Sequence, residues 1–447
     1  MLESNNMTKV FLLTAVFLHS FTYFAQKSTI VSSEIKDDCL SIHQQWLDEV
    51  FILTQNTVGF SAPVSGRAYS YFSIGMYEST IEITPELQSI HVQLDGYTRT
   101  EWSNDQQLDW RIVANSVDYE IIQYLYRAAP SSYMERVGFI MDSIQRKYAK
   151  ECSKKVKKNS INYAKNIANE IIEWSKLDGG DIGFSNNFPE DFKAPYCPSC
   201  WVKTTPGYLP SLLPYWGENK LMLKESYAAT DDCEVFEFSE DSSSFMYAEA
   251  MRVLENSKLA DPNYEIIAEY WNDGAGYSGT PTGHFFTIAK QMAIQQKLNL
   301  DESMELYVKL GVAVNEAFIA AFRLKYKFNF IRPITYIHRL IDPKFNTRIA
   351  SPPFPEFPSG HSFQSGAATE IMKSILGDKL KIIDSTNINR TDIDGTPRHF
   401  SSFTEMSEEI SVSRLYGGIH FLKTLDESLK YGRKIGVYVA TELKCRK

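Results

Sequence analysis

The sequence predicts an all-α protein: one or more helical bundles with long ordered loops, and an active site in the C-terminal bundle. Three observations lead there. Apolar residues recur at three- and four-residue spacing over most of the chain, strand-like alternation is sparse, and Gly- and Pro-rich stretches separate the periodic segments. With 447 residues, 43% of them hydrophobic, the chain can bury a large core.

Residues 1–25 read as an export signal. Lys9 gives a positive start, residues 10–24 form an apolar run too short for a confident membrane span, and the run ends in Tyr-Phe-Ala, placing cleavage near Ala25. The other reading of this run is a buried N-terminal helix. The mature chain, 26–447, is expected to be one exported domain, periplasmic or secreted, with no stable membrane span. Its net charge of −9 argues against a nucleic-acid partner, which would demand a basic footprint.

Helical periodicity runs over 41–54, 109–127, 131–150 and 154–176, then over 242–259, 283–298, 304–326 and 405–443. Residues 178–216, rich in Gly, Pro and aromatics, read as a long loop. Residues 342–358, with Pro343, Pro352, Pro353, Pro355 and Pro358, read as a second, and 384–402 as a third. Cys197 and Cys200 form a Cys-x-x-Cys pair. With no second such pair and no His at zinc-finger spacing, a local disulfide or two free thiols fit better than a metal site. Acidic and amide side chains between Asp384 and Gly395 have a calcium-loop flavour but lack a closing Glu, so an ordinary polar loop is expected.

Three segments between 325 and 420 carry the chemistry. In the first, Lys325 and Arg332 stand seven positions apart before Pro333, on one face if the helix continues that far. In the second, a Pro-rich loop feeds Ser359-Gly360-His361 into a helix N-terminus, whose free amides and dipole favour an anion. The third is Arg414 with His420 across a Gly-Gly break. Each alone is ordinary surface, cap or core. Together, one Lys, two Arg, a hydroxyl and a Gly amide suit a tetrahedral or trigonal-bipyramidal oxyanion, and two His can divide ligation or attack from proton transfer.

The pattern Lys-x6-Arg-Pro, Pro-Ser-Gly-His and Ser-Arg-x5-His resembles the superfamily of type 2 phosphatidic acid phosphatases, bacterial class A acid phosphatases and vanadium-dependent haloperoxidases. The haloperoxidase branch, in its bacterial, iodoperoxidase-like form, is similar over more of the chain. It shares the segments Trp201–Pro206, Pro214–Gly217, Glu269–Asp273, Thr280–Phe285 and Pro353–Pro358.

The resemblance implies a vanadate cofactor, for which phosphate can substitute, and hydrogen peroxide and halide (iodide or bromide) as substrates. It implies His420 as the vanadium ligand. Lys325, Arg332 and Arg414 would neutralise the oxyanion, and Ser359 and the Gly360 amide would hydrogen-bond to it. His361 would be the acid/base, with Lys325 polarising the bound peroxide. Phe322 and Phe354 would line the substrate pocket, and Asp273 would support an Arg or His of the site or merely cap a turn. Algal bromoperoxidases carry a second His where Phe354 stands. Phe322 replaces the usual Trp, and Arg323 stands where bacterial members often have Asp. Two alternatives stay open: an acid phosphatase acting on a phosphate ester with His420 as nucleophile, and an inactive oxyanion-binding homologue.

Overall fold

Thirteen α-helices and one two-stranded sheet make up the regular structure among the described residues. The structure is a computed structural model that describes residues 31–100, 106–259, 261–274 and 276–447. The export signal expected over 1–25 lies outside them. The helices are α1 (Ser33–Asn56), α2 (Ala62–Thr80), α3 (Trp110–Leu125), α4 (Ser131–Tyr148), α5 (Lys154–Ser175), α6 (Phe245–Lys258) and α7 (Pro262–Tyr270). There follow α8 (Thr280–Gln295), α9 (Leu300–Phe328), α10 (Pro333–Leu340) and α11 (Gly360–Leu376). The antiparallel hairpin β1 (Lys379–Asp384) and β2 (Arg398–Ser402) precedes α12 (Phe403–Tyr416) and α13 (Leu422–Glu442). No helix among the described residues is long and apolar enough to cross a membrane.

The all-α reading holds, and its departures have physical reasons. Helix α2 escaped the periodicity because every residue from Pro63 to Thr80 is buried, so it has no polar face to set against an apolar one. Helices α7 and α10 are short and start at prolines. The segment 405–443 is two helices, broken at Gly417 and Gly418. Lys325 and Arg332 do not share a helical face: α9 stops at Phe328, with Asn329 in the left-handed region (φ 47°). Arg332 is instead the N-cap of α10, and the Pro333 ring fixes the restart there.

Helix α9 is the axle of residues 33–447. Residues 303–322 are buried all round, and α2, α8, α11 and α13 pack against it. Its start is fixed by a capping box between Asn299 and Glu302, and its far end delivers Lys325.

The most extensive pairing is α11 with α13. Glycines make it possible: Gly366 on α11 lies against the Leu429 carbonyl, while Gly432 and Gly436 on α13 lie against the Phe363 and Ala367 carbonyls. A Cβ at any of these would collide with backbone, which cannot give way as a side chain can. Gly432→Ala should therefore lower the urea unfolding midpoint, by about 1–3 kcal/mol in stability. Gly138→Ala, on α4 with open space where its Cβ would go, should instead raise it by about 1 kcal/mol.

Candidate active site

The turn after α9 is held by backbone pairing with the long loop. Trp201 N–H donates to the Asn329 carbonyl (2.8 Å), and Ile331 N–H donates to the Ser199 carbonyl (2.9 Å). Cys197 and Cys200, disulfide-bonded, close this clip from the loop side. Phe330 then accepts from Glu356 N–H (2.9 Å), so the turn fixes the Pro-rich loop as well. Lys325 and Arg332 reach the same place from either side of the turn. Lys325, fully buried, donates to the Pro355 (2.9 Å), Glu356 (3.2 Å) and Pro358 carbonyls. Arg332, also fully buried, donates from Nε to Phe354 O (3.0 Å) and from Nη1 to Ile419 O (3.0 Å).

Ser359 is the N-cap of α11. Its hydroxyl oxygen accepts from the Ser362 hydroxyl (3.0 Å) and keeps its own proton to donate, while its amide donates to Ser428 Oγ (2.8 Å) on α13. Gly360 and His361 occupy the first helical positions, where amides have no carbonyl four residues back. A Cβ on Gly360 would meet only Phe318, at 4.0 Å, so space stands in front of it. His361 lies at the mouth with 19% of its side chain exposed.

His420 follows the Gly-Gly break between α12 and α13. Its Nδ1 lies 2.8 Å from Glu356 Oε1, which also accepts from Phe421 N–H (3.1 Å), while Oε2 accepts from Thr424 (2.8 Å). An ionised Glu356 accepts a hydrogen bond from Nδ1–H, which places the His420 lone pair on Nε2, 3.3 Å from Arg332 Nη1. Glu356 was not singled out in the sequence. A single acid within an apolar Pro-rich run was the available signal. Arg414, at the end of α12, donates from Nη1 to Trp271 O (2.8 Å).

Burial depresses every basic group here. Lys325 is pushed well below its usual range by desolvation and then by Arg332; Arg332 falls to about 9 and Arg414 to about 10. His420 is pushed far down by desolvation, Arg332, Lys325, Arg414 and His361. His361 drops to about 3 through the loss of water around most of its ring and then the Arg414 charge, with Asp273 opposing. Desolvation lifts Glu356 to about 7. Arg332 Nη2, Arg414 Nε and His361 Nε2 are buried without a protein partner. Clustered cations with leftover donors fit an oxyanion with several acceptor oxygens.

Asp273, in a loop at positive φ (49°), faces His361 across 3.9 Å between Oδ2 and Nε2. Its other oxygen accepts from Ser278 (2.5 Å) and from His284 Nδ1 (2.7 Å) on α8. His284 Nε2 reaches Asp384 Oδ2 (2.8 Å) at the end of β1. Of this buried Asp–His–Asp row the sequence singled out Asp273 alone as support for the site; its partnership with His284 and Asp384 was missed. Residues 100 positions apart in sequence form it, and no local pattern marks that. Burial alone would lower the His284 pKa, but Asp273 and Asp384 override it and raise it to about 10. Asp384 is thus spent on His284. Among the described residues, no cluster of three or more His, Cys, Asp or Glu side chains is set to hold a metal ion.

The walls are aromatic. Phe354 covers Lys325 Nζ at 4.6 Å and Arg332 at 5.1 Å, and Phe322 packs on Phe354 with centroids 5.5 Å apart. Arg323 is exposed, and its guanidinium lies over the Tyr227 ring (4.1 Å), engaged away from the buried cations.

Residues 341–445 match the family model described as the VCPO second helical-bundle domain. A vanadium chloroperoxidase from Curvularia inaequalis is 24% identical, over 37% of this chain and 37% of its own length. A solved bacterial vanadium-dependent iodoperoxidase superposes with a TM-score of 0.80 at 26% identity, over 90% of this chain and 97% of its own. The holo form of a bacterial vanadium-dependent chloroperoxidase shares the fold, with a TM-score of 0.64 at 13% identity over 87% and 93%.

His284 makes a pH prediction. Its pKa is raised from 6.5 to about 10 in the folded protein, so its stabilising contribution is complete below about 6.5 and is lost as pH climbs to about 10. The difference in unfolding free energy between the protein and His284→Gln should therefore be largest near pH 6 and shrink steadily towards pH 10. Urea titrations across that range measure it.

Proposed function

The chain belongs to the vanadium haloperoxidase family, and from that premise we propose that it oxidises iodide or bromide with hydrogen peroxide, using vanadate, to hypohalous acid. The observation that carries this reading is His420: Glu356 accepts from its Nδ1–H, and its Nε2 lone pair faces Arg332 Nη1 beside buried cationic donors without a protein partner. Bound vanadate would supply a Lewis-acidic centre that activates peroxide towards halide without changing its own oxidation state.

The residues then divide the work. His420 Nε2 would ligate the metal. Arg332 Nη2, Arg414 Nε, the Ser359 hydroxyl and the Gly360 amide hold the oxyanion. Lys325 acts through its fixed charge on the oxyanion and the peroxide, its three N–H groups being directed at carbonyls. His361 takes a proton at Nε2, and Asp273 stabilises the imidazolium that results. Phe322 and Phe354 keep a dry wall against the cradle, which suits a large, weakly hydrated halide. Arg323, turned to Tyr227, makes no contact with the cradle that would speak for an inactive homologue.

Vanadate-reconstituted protein should turn iodide into triiodide on addition of peroxide. His361→Ala should lose about 10²–10⁴ in kcat, and His420→Ala should lose both activity and orthovanadate binding. Hydrolysis of an aryl phosphate without halide oxidation would replace this reading with the phosphatase one. The proposal extends to export: 1–25 as a signal cleaved near Ala25, and 26–447 as the single mature domain. N-terminal sequencing of periplasmic or secreted protein should begin near Gln26; an intact Met1 or Met7 would overturn it.

A further inference from the structure

The row Asp384–His284–Asp273 lies beside the cradle and leaves no His284 N–H for an oxyanion, since both face carboxylates. His284 is 1% exposed, Asp384 is fully buried and Asp273 is 5% exposed. Both ring nitrogens of His284 point at carboxylates, at 2.7 and 2.8 Å, so both must donate, and the ring is an imidazolium held from each end. Trp271 stacks on its face with centroids 4.8 Å apart, which leaves the ring no other orientation. Asp384 is pinned in turn by the Tyr270 hydroxyl (2.9 Å) and by the Thr386 amide (2.9 Å) and hydroxyl (2.7 Å). On Asp273, Ser278 and His284 both use Oδ1. Oδ2 is left facing His361.

A core charge network would serve stability alone if its far end met nothing reactive. This one ends on the histidine read as the acid/base, at a residue kept in a left-handed backbone conformation that costs free energy unless its surroundings enforce it. We propose that His284, backed by Asp384, is a positioning residue: it pins Oδ1 of Asp273 so that Oδ2 stands opposite His361, as a fixed counter-charge for the protonated form of that histidine. The assignment rests on the reading of His361 given above. Around His361, Arg414 from α12, the His284 imidazolium from α8 and Lys325 from α9 oppose its protonation, and Asp273 is the group that favours it. Losing its orientation removes the one favourable charge.

The test uses full-length protein carrying His284→Gln, with Asp384→Asn as a milder second variant that touches neither Asp273 nor His361. In vanadate-loaded enzyme, His284→Gln should lower kcat for iodide oxidation about tenfold or more. The halide KM should stay within about twofold and the orthovanadate Kd within about threefold, with Asp384→Asn between it and the parent. Unchanged kcat in both variants, or a kcat loss matched by an equal loss of vanadate binding, would reduce the row to a structural network. A second readout does not need turnover. With inorganic phosphate bound, ring-nitrogen NMR of His361 should change in His284→Gln, and an unchanged His361 signal would overturn the proposal. If the parent protein itself oxidises no halide, the family activity fails, and the NMR comparison alone decides the positioning role.

Discussion

The structure turns on burying three cationic side chains in one place. Lys325 and Arg332 are fully buried and Arg414 is 2% exposed, while their nearest carboxylates are Asp273 and a Glu356 whose acid is lifted to about 7. An uncompensated buried charge costs several kcal/mol. The protein offsets part of that with carbonyl oxygens: three around Lys325, two on Arg332 and one on Arg414. What carbonyls leave unmet defines the ligand, because only a polyanion satisfies several cationic donors from one point. The scaffold answers to the same demand. Carbonyls held in a ring by turns and helix ends need rigid supports, and an α9 buried all round over 303–322 with a glycine-lined α11–α13 contact supplies them.

The cradle was legible because its residues are chemically conspicuous and sit in three short segments. Those segments mark one site only if the chain folds them together, and a match to a known joint pattern stood in for that knowledge. The helices with a polar face were legible too. What escaped detection did so for identifiable reasons. Helix α2 has no wet side, so its sequence carries no period. Glu356 is one acid whose importance comes from where His420 lies, 64 positions on. The Asp273–His284–Asp384 row joins a loop, a helix and a strand end that only the folded chain assembles. The expected shared face of Lys325 and Arg332 failed because spacing cannot see a helix stop. Asn329 ends α9 four residues after Lys325, and the two cations converge across a turn instead of along a face.

The two histidines of the site are tuned by opposite supports. Burial and the surrounding cations keep His420 neutral, and a carboxylate on Nδ1 sets its lone pair on Nε2, facing those cations. A carboxylate across 3.9 Å from His361 Nε2 favours the protonated ring. Identical side chains take on a ligating and a proton-carrying character from the placement of Glu356 and Asp273, and neither role can be assigned from the histidine alone.

The clip between residues 199–201 and 329–331 has a consequence for how such chains diverge. It is made of main-chain hydrogen bonds and one sulfur bridge, so it asks little of the side chains beyond it. The rest of the long loop can change its sequence without loosening the turn that sets Arg332 and Glu356. The seat of the anion thus depends on where that loop's main chain runs at 199–201 more than on which side chains the rest of it carries.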